Sequence, residues 1–216
     1  MAISAHLDDA ALSASASLAG QDATVLTVFA GMPPPEIELA SWDELTGARD
    51  SARRQAERLG EDAEAMRLLS ACGRYLDLLD SQYRPAGQAP DLDRIAESIA
   101  GYFGGDSTQA WIPAAIGAHP DHVLARDAAL RAALIAGLPE IVLYADFPYL
   151  LSFGLPRWMK KRPEEISLTH QQRDTKTKII NAYRSQAPAL GLAQADLAAN
   201  PAKLNTEFFW RVPPTP

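Results

Sequence analysis

The chain has 216 residues, a length that suits one globular domain with a substantial core. Apolar residues make up 47% of it and charged residues 22%, a balance that excludes a wholly disordered chain. The formal charge of −7 argues against a nucleic-acid partner, because backbone phosphates would be repelled. No apolar run approaches the ~18 residues that span a bilayer, no signal peptide opens the chain, and its single cysteine cannot form an internal disulfide. We therefore expect a cytoplasmic protein without a membrane segment.

The first part of the chain predicts alternating strands and helices. A very short strand at 2–4 precedes a predicted helix over 9–19, and the β-branched run 23–30 predicts a buried strand. The proline-rich stretch 31–47 is too long for a tight connection and predicts a binding loop. Helix formers with charge pairs four residues apart predict the longest helix, over about 50–71.

The same alternation continues through the middle of the chain. Strands are predicted at 73–80, 109–116 and 140–147 from their apolar and β-branched composition. Helices are predicted at 91–103, which begins with an aspartate, and at 121–137, which ends at a glycine. A further helix is predicted over about 166–185, and the tail at 207–214 has the composition of an edge strand.

Strand and helix recur five times, which is typical of right-handed βαβ units. The sequence therefore predicts an α/β fold: a Rossmann-like, doubly wound, mostly parallel sheet with helices on both faces. We expect one domain over residues 1–216. In such sheets ligands bind beyond the carboxyl ends of the strands, at the point where the strand order reverses.

Three of the four histidines occur in two short motifs that each follow a predicted strand. Residues 6–9 read His-Leu-Asp-Asp after the first strand, and residues 119–122 read His-Pro-Asp-His after the fourth. If these two strands are neighbours at the point of reversal, the motifs face each other across one crevice. Side chains separated by more than a hundred residues in sequence would then share a single site.

The residue types in the two motifs suit a catalytic zinc ion, which takes three protein ligands and keeps one position open for water. His6 and Asp9 are three residues apart at a helix start, so both can reach one ion. One histidine of the second motif completes a set of two histidines and one aspartate. Asp8 is then available as a general base.

His119 and His122 are not both needed as ligands, and their spacing alone leaves open which of them binds the ion. The other is free to stabilise an oxyanion. Asp121, which lies between them, can orient an imidazole from behind.

Helix capping and nucleotide binding compete with metal binding as roles for these residues. Aspartates and histidines at helix starts often serve as N-caps, although their joint occurrence after two parallel strands favours metal binding. A nucleotide-binding Rossmann protein would have a Gly-x-Gly-x-x-Gly segment after its first strand. The chain has none there, and the carboxylates of Asp8 and Asp9 would repel a pyrophosphate.

The two motifs resemble those of the PIG-L/LmbE-like family of zinc-dependent de-N-acetylases. The family pattern is Ala-His-Pro-Asp-Asp-Glu near the N-terminus and His-Pro-Asp-His in mid-chain. The second is unchanged here, whereas the first has Leu7 in place of proline and Ala10 in place of glutamate. The resemblance extends across most of the chain, through 33–47, 58–69, 144–149, 178–186 and 207–211.

The resemblance implies an amidohydrolase that removes an N-acyl group, most often acetyl, from an amino sugar or related small metabolite. It implies one Zn²⁺ per chain, or another divalent ion in its place, with His6, Asp9 and His122 as ligands. Asp8 would be the general base for a metal-activated water, and protonated His119 would polarise the carbonyl. It also allows a homo-oligomer, although the sequence identifies no interface.

Other residues are weaker candidates for contact with substrate, and each has a plain structural alternative. Arg58 could equally lie on a solvated helix face, and Asp80 could be a turn carboxylate. Trp42 lies in the proline-rich loop. Tyr144, Asp146 and Tyr149 follow the fifth strand, where core packing explains the tyrosines equally well. We interpret His170 as structural or exposed.

A rival hypothesis is a catalytically impaired family member that binds a small ligand or a partner protein. Ala10 in place of the usual glutamate would be the first sign of such decay. The intact pair of motifs favours an enzyme, because a site that had lost its catalytic function would not retain Asp8 and His119 together with the metal ligands. The sequence does not identify the substrate.

Overall fold

A computed structural model describes residues 1–104 and 108–213, which fold around a seven-stranded sheet. The strands are β1 (Ala2–Ser4), β2 (Thr24–Thr27), β3 (Cys72–Tyr75), β4 (Gln109–Pro113), β5 (Glu140–Tyr144), β6 (Glu164–Ser167) and β7 (Thr206–Val212). Their order across the sheet is β3-β2-β1-β4-β5-β7-β6. The first five are parallel, while β7 runs antiparallel to both of its neighbours.

Helices cover both faces of the sheet, as the sequence predicts. They are α1 (Asp9–Ser13), α2 (Ser15–Leu18), α3 (Ser41–Leu45), α4 (Ser51–Leu69), α5 (Leu92–Ala100), α6 (Pro120–Ile135), α7 (Tyr149–Phe153), α8 (His170–Ala182) and α9 (Gln194–Ala199). Helices α5 and α6 pack on one face, and α1, α2, α4 and α8 on the other. Within the described residues no helix combines the length and the apolar character needed to cross a bilayer.

Alternating side chains of the central strands supply the two cores. In β1, Ile3 points into the core beneath α5 and α6, whereas Ala2 belongs to the core on the opposite face. The buried face of α6 consists largely of alanines, so this helix approaches the sheet closely. Ile95 and Ile99 of α5 fill the adjoining space, and each buried aliphatic side chain of this size contributes roughly 1.5–3 kcal/mol.

The strand order reverses between β1 and β4, which lie side by side with Ala2 opposite Trp111. From β1 the sheet continues through β2 to β3 on one side, and from β4 to β5 on the other. The predicted position of both histidine motifs, after adjacent strands at the point of reversal, is therefore confirmed. Although β1 has only three residues, it is central in the sheet and pairs on both edges.

The predicted helix over 9–19 is wrong in one respect: α1 and α2 are separate helices on either side of Ala14. A distant carboxylate lies at this break. Glu207 in β7 accepts hydrogen bonds from the Ser15 hydroxyl at 2.7 Å and from the Ala16 backbone N–H at 3.1 Å. It thereby caps the start of α2 and is itself paired with the buried Lys176 at 2.8 Å.

The C-terminal part of the chain differs most from the prediction. Residues 164–167 form β6 and overlap the start of the helix predicted over 166–185. Helix α8 begins only at His170, behind a capping box formed by Thr169 and Gln172. The tail strand β7 is not an edge strand, because it lies between β5 and β6. The short helices α3, α7 and α9 were not predicted.

Candidate active site

The loop after β1 is shaped by its own polar atoms. The Ser4 hydroxyl donates to the His6 carbonyl at 2.6 Å and accepts from the Ala10 N–H at 3.0 Å. The His6 N–H donates to Asp9 Oδ2 at 2.7 Å. Asp8 precedes α1 but makes no capping hydrogen bond with its side chain, so helix capping does not explain this carboxylate.

The second motif lies at the start of α6, beyond the end of β4. His119 does act as an N-cap, since its Nδ1 accepts the Asp121 N–H at 3.3 Å. His122, in the first turn of the helix, is fully buried. Its Nδ1 lies 2.8 Å from Asp146 Oδ1, and Asp146 Oδ2 accepts the Ile116 N–H at 2.9 Å.

The two motifs meet, as predicted. The ring centroids of His6, His119 and His122 lie 5.1–5.3 Å from one another. Asp9 Oδ2 lies 3.4 Å from His6 Nδ1 and 3.3 Å from His122 Nε2. Three imidazoles and a carboxylate thus surround one position in space, beside the place where the strand order of the sheet reverses.

The environment of His122 fits a metal ligand. Its Nε2 is buried without a hydrogen-bond partner among the described residues, while its Nδ1 faces Asp146. If Nδ1–H donates to Asp146, then Nε2 and Asp9 Oδ2 are two acceptors that face each other and need a proton or a metal ion between them. Nitrogen and carboxylate oxygen are ligands that Zn²⁺ prefers, and a carboxylate behind the imidazole is the usual support for such a ligand.

A second set of atoms with ligand-like spacing lies on the other side of His6. Its Nε2 is 3.2 Å from Asp121 Oδ2 and 3.7 Å from Asp80 Oδ2. Both carboxylates already have cationic partners, since Asp80 pairs with Arg58 at 3.4 Å and Asp121 pairs with Arg84. We therefore favour the position beside Asp9 for an ion. Asp121 does orient an imidazole, but the ring is that of His6.

The carboxylates of the first motif differ in their acidity. Burial raises the pKa of Asp8, the adjacent charge of Asp9 raises it further, and the guanidinium of Arg58 opposes both. Burial would also raise the pKa of Asp9, but His122 and His6 hold it well below the usual range. Asp9 is thus the stronger acid of the two, and Asp8 is the weaker.

The surroundings of His119 favour its neutral form, whereas the resemblance implies a protonated ring. Burial and the two neighbouring imidazoles of His6 and His122 lower its pKa. Because its Nδ1 accepts the Asp121 N–H, the ring proton resides on Nε2. His119 can therefore donate a hydrogen bond without carrying a charge.

A cavity of about 230 Å³ opens over this cluster. Its polar lining includes Asp8, Arg58 and Asp80, and Trp42 contributes an aromatic wall. Apolar side chains complete the lining: Leu12, Phe147, Pro148, Tyr149 and Leu190. Arg58 is 5% exposed, so it is not on a solvated helix face. Asp80 lines the cavity and is also the predicted turn carboxylate, because it caps a 3₁₀ turn.

Two predicted substrate contacts are wrong. Tyr144 is fully buried and donates its hydroxyl proton to the Ile3 carbonyl at 2.8 Å, so it is a core residue. Asp146 is also fully buried and holds His122 rather than lining the cavity. Tyr149 does line the cavity, with its ring 4.9 Å from that of His122. His170 is exposed, as predicted, and pairs with Asp174 at 2.9 Å.

Three residues with clear positions in the site carried no signal in the sequence. Arg84 pairs with Asp121 behind His6. Gln186 accepts a hydrogen bond from Trp42 Nε1 at 2.8 Å and lines the cavity together with Leu190. Gln186 lies in a segment that resembles the family, but nothing in its local pattern distinguishes it from a surface residue.

Comparison with known families now adds to this geometry. The family described as PIG-L, GlcNAc-PI de-N-acetylase, matches residues 1–133, which include both histidine motifs. The chain belongs to the PIG-L family. A comparison with curated proteins gives no match.

Solved structures extend the likeness over the whole chain. The zinc-inhibited form of teicoplanin deacetylase Orf2 is 27% identical, with a TM-score of 0.82 over 97% of this chain and 96% of that one. The A40926 pseudoaglycone deacetylase Dbv21 is 30% identical, with a TM-score of 0.80 over 100% and 97% of the two chains. GalB, the 4-carboxy-2-hydroxymuconate hydratase of Pseudomonas putida, shares the fold at 18% identity, with a TM-score of 0.65 over 100% and 96%. The PIG-L fold alone therefore does not define the reaction.

Proposed function

We propose that this PIG-L protein is a metal-dependent N-deacetylase that removes an N-acyl group, in particular N-acetyl, from an amino sugar or a related small metabolite. The observation that carries the proposal is the unpartnered Nε2 of His122, buried 3.3 Å from Asp9 Oδ2 and beside the uncapped carboxylate of Asp8. The neighbours at 27% and 30% identity are themselves named as deacetylases.

His6, Asp9 and His122 would hold one divalent ion per chain, Zn²⁺ or a similar metal. Such an ion supplies Lewis acidity to an amide carbonyl and to an attacking water. The Orf2 neighbour is described in a zinc-inhibited form, so the zinc concentration has to be varied in any assay of this chain.

The chain's own residues supply the proton transfers. Asp8, whose carboxylate lines the cavity, accepts the proton of the attacking water and passes it to the departing amine. The charge of Arg58 favours the ionised form of Asp8 that this step requires. His119 donates its Nε2–H to the oxygen on which negative charge develops. Asp121 is fully buried and acts through His6, so we assign it a positioning role.

The walls of the cavity indicate the kind of substrate. Arg58 and Asp80 offer a donor and an acceptor to sugar hydroxyl groups, and Trp42 offers an apolar ring edge beside them. The volume of about 230 Å³ is just below the usual range for small-molecule sites, which suits a group the size of a monosaccharide. We further propose that residues 1–216 act as one domain, because Gln186 and Leu190 line the same cavity as the N-terminal motif.

The rival hypothesis of an impaired member loses its main support. Ala10, which replaces the glutamate usual in the family, is fully buried among apolar side chains of α1 and its neighbours. Its position is filled by the core, so no cavity residue is missing there.

The test combines metal analysis with acetate release from a panel of N-acetyl amino sugars and N-acyl metabolites. We expect about one equivalent of zinc or a similar ion in the purified full-length protein, and its loss in His122→Ala together with activity. His170→Ala is the matched control, because it removes an exposed histidine, and it should keep both metal and activity. A metal-free protein with full activity would contradict the proposal, as would normal metal binding by His122→Ala.

A further inference from the structure

The carbonyl of Leu7, immediately before Asp8, is held by a buried chain of hydroxyl and carboxyl groups. The Tyr183 hydroxyl oxygen lies 2.8 Å from the Leu7 carbonyl oxygen and 2.8 Å from Asp62 Oδ1. Asp62 Oδ2 lies 2.8 Å from the hydroxyl of Tyr75. Tyr183 and Asp62 are each 1% exposed, so water does not replace these partners.

The number of protons in this chain determines the charge of Asp62. The Tyr183 hydroxyl has one proton, and the Leu7 carbonyl can only accept. If Asp62 is ionised, the Tyr183 proton can form a hydrogen bond either to the Leu7 carbonyl or to Asp62. The hydroxyl oxygen of Tyr183 and the other acceptor then lie 2.8 Å apart with no hydrogen between them. A proton on Asp62 Oδ1 supplies the missing hydrogen, because Asp62 then donates to Tyr183 and Tyr183 donates to the Leu7 carbonyl. Tyr75 donates to the remaining oxygen of Asp62.

We propose that Asp62 is a neutral carboxylic acid in the folded protein, and that Asp62 and Tyr183 are positioning residues that fix the Leu7 carbonyl and with it the Asp8 side chain. The consequence for Asp8 rests on the proposed function. The proton on Asp62 does not, since it follows from the hydrogen-bond geometry alone.

The surroundings of Asp62 favour the neutral form. Its ionisable neighbours are Tyr75 of β3, Tyr183 directly after α8, Asp8 before α1 and Arg58 within α4. Burial raises the pKa of Asp62 to about 7; the two tyrosine hydrogen bonds and Arg58 oppose this rise, and the charge of Asp8 adds to it. A neutral Asp62 avoids placing a further negative charge near Asp8.

A raised pKa in the folded state makes stability depend on pH in a definite direction. Between the ordinary aspartate pKa of 3.8 and about 7, the folded protein retains a proton on Asp62 that the unfolded chain has lost. The contribution of this group to stability is therefore fully present below that window, decreases as the pH rises through it, and is constant above about pH 7.

Asp62→Asn tests the charge of Asp62. An asparagine amide donates to Tyr183 and its carbonyl accepts from Tyr75, so it reproduces the neutral acid and cannot ionise. This variant is compared with the wild-type protein by thermal unfolding across the pH range. Its melting temperature relative to wild type should rise from about pH 4 to about pH 7 and then stay constant. A variant that is destabilised by the same amount at every pH would overturn the assignment of a neutral Asp62.

Tyr183→Phe tests the positioning role, with Tyr75→Phe as the matched control. Removing the Tyr183 hydroxyl releases the Leu7 carbonyl, and we expect kcat to fall about 10- to 100-fold with KM and bound metal little changed. Tyr75→Phe leaves the bonds among Leu7, Tyr183 and Asp62 in place and should keep kcat. An unchanged kcat in Tyr183→Phe would refute the positioning role. If the wild-type protein releases no acetate, the proposed function fails, and the pH-dependent stability of Asp62→Asn still decides the charge of Asp62.

Discussion

Two parts of the cavity are built in different ways. The histidine–aspartate cluster, formed by His6, Asp8, Asp9, His119 and His122, lies beyond the ends of two adjacent central strands. The Trp42 wall, formed by Trp42, Gln186 and Leu190, comes from the short helix α3, between β2 and α4, and from the segment after α8. In the cluster, most side chains are fixed by buried polar partners, whereas in the wall a single hydrogen bond joins Trp42 to Gln186.

From this difference we expect the cluster to govern turnover and the wall to govern substrate selectivity. Strand ends within a packed sheet hold reacting groups with little freedom, and the partners of His122 and His6 are themselves buried carboxylates. A loop such as 31–47 can change in length and composition without disturbing the sheet. We therefore expect changes in the cluster to affect turnover or metal affinity, and changes in the wall to affect substrate affinity.

The largest effect should come from Asp8→Asn, which removes the proton acceptor and keeps the shape of the side chain. We expect kcat to fall by about 10²- to 10⁴-fold, the usual contribution of general base catalysis. Bound metal should be unchanged, because Asp8 is not among the proposed ligands. Metal analysis and acetate release on the same preparation measure both quantities. Loss of the metal with loss of activity would show that Asp8 is a ligand and not the base.

A smaller effect is expected at Asp146, the carboxylate that holds His122. Asp146→Asn weakens the hydrogen bond that orients His122, so metal affinity should decrease about 10- to 100-fold, measured by competition with a coloured chelator. Asp174→Asn is the matched control, since Asp174 also pairs with a histidine, His170, but on the exposed surface. Equal affinities in the two variants would mean that Asp146 does not support a metal ligand.

The difference between the cluster and the Trp42 wall also explains which site residues the sequence could predict. His6 and His122 were recognisable because each follows a strand, and parallel strands place their carboxyl ends together whatever the intervening chain does. Arg84, Gln186 and Tyr183 were not recognisable, because their roles depend on which distant atom they meet.

Errors in the sequence analysis have the same origin. Tyr144 and Tyr149 looked equivalent, but the first is the last residue of β5 and points into the core, whereas the second begins α7 beside the cavity. The start of α2 is capped by Glu207, which is almost two hundred residues away in sequence. Local periodicity contains no information about such contacts.

The smallest effect should come from the Trp42 wall. Trp42→Phe removes the indole N–H that binds Gln186, and a hydrogen bond of this kind contributes about 1 kcal/mol, which corresponds to a rise in KM of roughly fivefold with kcat unchanged. Gln186→Leu breaks the same bond from the other side. If the bond itself sets the position of the wall, the double variant should be no worse than either single variant, because contacting residues are not additive. Additive effects on KM would mean that Trp42 and Gln186 contact the substrate independently, and a fall in kcat would mean that the wall also orients the reacting group.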